Sequence, residues 1–260
     1  MKVNARLITR TAILLALCIA SQFLKNTSIF ITGPIVNAIL VIATLSCGFL
    51  GGGIIALVSP FTAWMITGNP IMSAVPTVPF AIALGNLILV AVVWFFAVWL
   101  KKRTPATERI PFTDGRFRLV LIVGLVAAAL WASLCIALSS SFADVFSLSA
   151  TPTVVLTLVC SAGVFVFLAC LWMLVARFPA AWTLIAGLVI GSVLKALEMW
   201  LLLVKVILPA YEPANAQLAK VVSKLSVAYG VPQLITALIG SVLAFLIWLP
   251  LQKVLKKEQA

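Results

Sequence analysis

The sequence predicts an all-α fold: a polytopic membrane helix bundle of about eight transmembrane helices. Three observations carry that reading. Of the 260 residues, 64% are hydrophobic and 9% charged, and the mean hydropathy is +1.25, well outside the usual range for a soluble domain. The apolar runs are long enough to cross a bilayer repeatedly. The Lys and Arg residues gather in alternate connections, the asymmetry that orients membrane helices.

The opening stretch "MKVNARLITRTAILLALCIASQFL" has a basic start, an apolar run and small residues. That outline also fits a secretory signal. "LALC", ending at Cys18, makes a poor lipoprotein box because Leu17 is bulky, and the stretch is read as a retained first span at about 6 to 24. "GPIVNAILVIATLSCGFLGGGIIALVSPFTAWMITG" is too long for one crossing and carries Gly48 and the run Gly51, Gly52, Gly53. It predicts a second span at about 35 to 50 and a third at about 52 to 67, joined by a tight glycine turn. "TGNPIMSAVPTVP", with three prolines, predicts a stiff non-helical loop before a fourth span at about 79 to 100.

"KKRTPATERIPFTDGRFR" holds six basic residues against Glu108 and Asp114, which marks a cytoplasmic loop. A fifth span follows at about 118 to 138, and "SSSFADVFSLSATPT" has an acid but no Lys or Arg, so it belongs outside. The sixth span runs from about 152 to 176 and the seventh from about 180 to 207. A polar connection from 209 to 230 leads to the eighth, about 231 to 252, and a basic tail. With both termini cytoplasmic, the inner segments hold thirteen Lys and Arg residues and the outer loops only Lys25, Lys220 and Lys224. The protein is therefore expected in the cell membrane as a multi-pass protein.

The net charge of +12 is accordingly read as topology and contact with the anionic lipid bilayer, with no nucleic acid as partner. There is no histidine, which excludes histidine-ligated haem, histidine-based zinc sites and Ser-His or Cys-His nucleophiles. No paired carboxylates or acidic metal cluster emerge, so no enzyme, metal or cofactor is expected. Nor is there a G-x-x-x-x-G-K-[ST] loop, so any energy must come from a partner or an ion gradient. The five cysteines lie in apolar runs without a C-x-x-C pair and read as packing residues.

Against this apolar background, Lys195 and Glu198 stand near the middle of the seventh span, three residues apart and on one helical face. Intramembrane charges usually mark function. The alternative is a self-satisfied Lys195–Glu198 pair that merely holds the helix in the bundle. Asn37 and Asn86, expected near the outer ends of their spans, either bond a ligand or tie helices together. Asn69 and Tyr211 fall in outer loops, and Gln233 starts the last span beside Pro232, where it binds solute or caps the helix. Trp64 and Trp200 lie in outer halves; Trp64 is read as an interfacial anchor and Trp200 as either an anchor or a stacking surface. Lys205 can snorkel to the headgroups.

Three stretches, "ITGPIVNAILVIATLSCGFLGGGIIALVSPFTAWMITG", "VPFAIALGNLILV" and "GVPQLITALIGSVLAFLIWLP", together resemble the substrate-binding S components of energy-coupling-factor (ECF) transporters, the vitamin-uptake systems of prokaryotes. The likeness covers roughly 5 to 100 and 180 to 255. Family members usually have six membrane helices. The expected organisation is thus one integral membrane domain, with an S-component-like core at 1–100 and 179–260 and, at 101–178, a basic loop plus an inserted helical pair that leaves later helices in the same direction.

The resemblance implies capture of a small vitamin-like solute in the outer half, while a transmembrane coupling subunit and two ATPases drive transport. It also implies that small residues of the first helix dock the coupling subunit, and Ala12, Ala16 and Ala20 form such a row here; the alternative is that the row packs within the monomer. Outside this resemblance, the sequence also admits a stand-alone ion-coupled secondary transporter with Glu198 as its proton-coupled group, or a membrane scaffold whose charges only order the helices.

Overall fold

The computed structural model describes residues 5–26, 29–68, 72–73, 75–102, 171, 175, 181–211, 229 and 231–257. Regular structure among them is entirely helical. The chain divides into two units, Met1–Thr104 with Thr183–Ala260, and Pro105–Trp182. Of the predicted fifth and sixth spans, only Leu171 and Val175 are among the described residues.

Helix α1 spans Ala5–Gln22 and passes into a short 3-10 turn, Phe23–Asn26. Helix α2, Ile29–Thr67, is interrupted at Gly48, whose backbone (φ 73, ψ −170) is non-helical. That conformation is open in effect only to glycine. An unbroken 39-residue helix would run about 58 Å, far beyond the roughly 30 Å of a hydrocarbon core. Gly48 leaves 19 residues on each side (29–47 and 49–67), about one crossing apiece.

The turn therefore falls at Gly48, not at the glycine run that the sequence suggests. Gly51 and Gly52 are helical and serve close packing: a Cβ at Gly51 would overlap Cys47, and one at Gly52 would strike Thr44. The second limb ends at Gly68, whose positive φ of 54 and N–H to Trp64 O bond, 2.9 Å, close the last turn.

Helix α3, Val78–Trp94, continues as a π-helix over Phe95–Leu100. Pro79 sits in its first turn, where a missing N–H costs nothing. Helix α4, Trp182–Glu198, also gives way to a π-helix, Met199–Ile207, and then to the short α5, Leu208–Tyr211. Helix α6 covers Val231–Lys257, five residues beyond the expected end, while α2 begins six residues before the predicted second span.

Among the described residues, five stretches are long and apolar enough to cross a membrane: Ala5–Gln22, Phe30–Thr67, Val78–Leu100, Trp182–Tyr211 and Pro232–Leu255. Many exposed side chains are large and apolar, Phe80, Val206 and Leu246 among them. A surface of that kind suits lipid and not water. These are the features of a multi-pass membrane bundle.

Inside it, α2 packs against α1, α3 and α6. Small residues permit the approach: a Cβ at Gly240 of α6 would lie 2.6 Å from both Asn37 Cβ and Pro34 O. Helix α4 meets α6 through Ser192 Oγ and Ser241 Oγ, 3.0 Å apart, and meets α3 where Gly191 faces Leu89.

Candidate functional site

Three of these helices converge on one ammonium. Lys195, in the last turn of α4, is 4% exposed, and its Nζ donates to Asn37 Oδ1 and to Asn86 Oδ1 at 2.6 Å each. Those are charge-assisted lengths. An ammonium carries donors only, so each amide turns its oxygen inward and its Nδ2 elsewhere.

Asn86 Nδ2 lies 3.4 Å from Ser59 Oγ and 3.5 Å from Ala56 O. Pro60 explains why that carbonyl is free: proline has no N–H, and Ala56 O thereby loses the donor four residues on. Gln22, at the end of α1, donates from Nε2 to Ser59 O at 2.9 Å. A hydrogen-bonded chain thus runs from α1 through both limbs of α2 and α3 to α4.

Beside this chain lies a cavity of about 130 Å³. Its polar lining includes Gln22, Asn37, Ser59, Asn86 and Lys195; its apolar lining includes Val36, Ala63, Met72 and Ile82; Tyr229 and Gln233 also contribute. Burial pushes the Tyr229 phenol up to about 12, so its hydroxyl is neutral. Among the described residues no acidic side chain lines the cavity.

Of the eight predicted solute-binding residues, Lys195, Asn37, Asn86 and Gln233 line this one cavity. Asn37 and Asn86 each sit eight residues inside their helices (37 − 29 and 86 − 78), about 12 Å from the helix start. Asn37 is therefore deeper than the sequence suggests. Asn69 lies outside the described residues. Glu198, Trp200 and Tyr211 are absent from the lining.

The alternative of a self-satisfied Lys195–Glu198 pair is not what the described residues form. Lys195 spends its bonds on the two amides, and both carboxylate oxygens of Glu198 are buried without a hydrogen-bond partner among the described residues. The physical reason is competition: an i, i+3 spacing permits a pair, but Asn37 Oδ1 and Asn86 Oδ1 from neighbouring helices hold the ammonium instead. Glu198 consequently turns toward Gly85, where an added Cβ would stand 2.5 Å from Oε2.

Trp200 and Tyr211 pack against an apolar cluster that includes Met72, Val78, Met199 and Leu203. Lys205 Nζ stands 5.1 Å from the Trp200 ring centroid, a cation–π distance. Tyr211 ends helix α5 and is not in a loop. Trp64 also packs on the cluster and donates from Nε1 to Ser73 Oγ at 3.2 Å. The row Ala12, Ala16 and Ala20 is exposed on α1.

Sequence reasoning missed Gln22, Ser59 and Tyr229. Ser59-Pro60 carried a usable signal, since a proline inside an apolar span frees a carbonyl that some polar group must satisfy. Comparison with family models, curated proteins and solved structures finds no match for this chain.

Proposed function

We propose that the protein is a membrane-embedded substrate-capture subunit for uptake of a small vitamin-like solute, energised by a transmembrane coupling subunit and two ATPases. The observation that carries this reading is the buried ammonium of Lys195, fixed by two amides at the wall of a cavity inside a helix bundle. Such an arrangement is expensive in lipid and is expected where a polar solute must be recognised. The absence of a phosphate-binding loop from the sequence fits division of labour with ATPases, and the exposed small-residue row on α1 suits close approach by another membrane helix. In this reading both termini face the cytoplasm.

Affinity purification of the full chain from its native membrane tests the proposal. ATPase subunits and one further membrane protein are expected in the eluate. Ala16→Trp should reduce that co-purification at least about tenfold with solute binding by the isolated protein retained. An eluate without ATPases would remove the partner-driven mechanism.

A second reading rests on Glu198, whose buried carboxylate oxygens lack a partner among the described residues. That is the group a stand-alone ion-coupled carrier would protonate and release. Uptake into proteoliposomes containing this chain alone, dependent on a pH gradient and lost in Glu198→Gln, would favour it.

A further inference from the structure

We infer that the solute is a small monocarboxylate, its carboxylate bound by Lys195 Nζ and Asn37 Nδ2; the inference rests on the capture reading and names the chemistry of that same cavity. The argument begins with donors and acceptors. Lys195 has three N–H donors and uses two, on Asn37 Oδ1 and Asn86 Oδ1. Asn37, 2% exposed, lines the cavity, and with its Oδ1 turned to the ammonium its Nδ2 is the amide's remaining polar group, a donor. Both amide oxygens are already committed to the ammonium. Around the ammonium the cavity therefore has N–H groups to give and offers these two oxygens to no one else; the unpartnered acceptor among the described lining residues is the neutral Gln22 Oε1.

Charge points the same way. Among the described residues the cavity lining carries one formal charge, that of Lys195, and no acid. A buried cation with neutral partners alone is costly, and an anion that enters beside it recovers much of that cost. Glu198 acts on the ammonium only through space, because its oxygens are buried beside Gly85 and outside the lining. A zwitterion would bring its own ammonium against Lys195, and no carboxylate among the described lining residues would receive it. Val36, Ala63, Met72 and Ile82 give an uncharged, apolar surround for the rest of the molecule, the usual division of labour in small-solute sites.

The test uses full-length protein in lipid nanodiscs, incubated with an equimolar mixture of size-matched small monocarboxylates, primary amines, amino acids and neutral amides. Unbound solutes are removed, the protein is denatured, and released compounds are quantified by mass spectrometry. Monocarboxylates should be enriched at least about tenfold over the neutral amides. Asn37→Asp nearly preserves shape and places a carboxylate against Lys195, so it should abolish the enrichment while the thermal midpoint is held or raised. If that variant does not fold, Lys195→Gln keeps donors, removes the charge and should shift retention from monocarboxylates to neutral amides. Preferential retention of amines, amino acids or neutral amides by the wild type overturns the monocarboxylate assignment and leaves capture standing. Unchanged monocarboxylate enrichment in the folded variant overturns the placement at Lys195 and Asn37. Retention of none of the four classes overturns the capture reading itself.

Discussion

Lys195 and Glu198 sit one helical turn apart on α4, carry opposite charges and are treated in opposite ways. The lysine is clamped by two amides from α2 and α3, 158 and 109 residues distant in sequence. Glu198, a turn away, has buried oxygens and no partner among the described residues. Nearness along a helix face thus does not decide pairing in this bundle. What decides it is which neighbouring helix presents an oxygen at the right height, and α2 and α3 both present one to Lys195.

The largest expected effect comes from removing the clamped group. Lys195→Met leaves Asn37 Oδ1 and Asn86 Oδ1 buried without their donor, and each orphaned acceptor costs roughly 1–3 kcal/mol. The midpoint of unfolding in detergent should fall clearly below wild type. An unchanged midpoint would mean that the amides find other donors and that the clamp adds nothing to stability.

An intermediate effect should separate the two surroundings directly. Gly240→Ala drives a Cβ against Asn37 Cβ and the Pro34 carbonyl, whereas Gly85→Ala drives one against Glu198 Oε2. Backbone cannot step aside as readily as the end of a side chain, so Gly240→Ala should cost about 1–3 kcal/mol and Gly85→Ala less than about 1. Thermal unfolding of the two variants side by side checks the order. A reversal would show that Glu198 is held more firmly than its lack of hydrogen bonds implies.

Glu198→Gln should do least. It breaks no hydrogen bond among the described residues and removes a buried charge, so stability should stay within about 0.5 kcal/mol of wild type or rise. A fall above about 1 kcal/mol would show that the carboxylate is engaged.

Much of this architecture was legible in the sequence. Apolar length placed the described spans to within a few residues, and Lys195 declared itself as a charge where lipid forbids one. The turn in α2 was misplaced because three consecutive glycines look like a stronger break than one. Backbone geometry makes the lone Gly48 the turn and leaves Gly51 and Gly52 as contact surfaces for Cys47 and Thr44. Asn37 and Asn86 were visible as candidates, but their shared partner was not. That partnership depends on the packing of α2 and α3 around α4, which no local spacing encodes. Gln22 and Ser59 were passed over because single amides and hydroxyls are ordinary at helix ends and in membrane helices, where a hydroxyl can bond its own backbone.

The Ser59-Pro60 step also bears on the order of assembly. Once the second limb of α2 has formed in lipid, Ala56 carries a carbonyl that its own helix does not satisfy, and hydrocarbon offers nothing in exchange. Asn86 supplies a donor at 3.5 Å only when α3 arrives in the correct register. One residue of axial slip moves that amide about 1.5 Å along the axis and about 100° around it, away from the carbonyl. The α2 carbonyl therefore favours one docking register of α3, and the same polar groups that surround the cavity also hold the helices in that register.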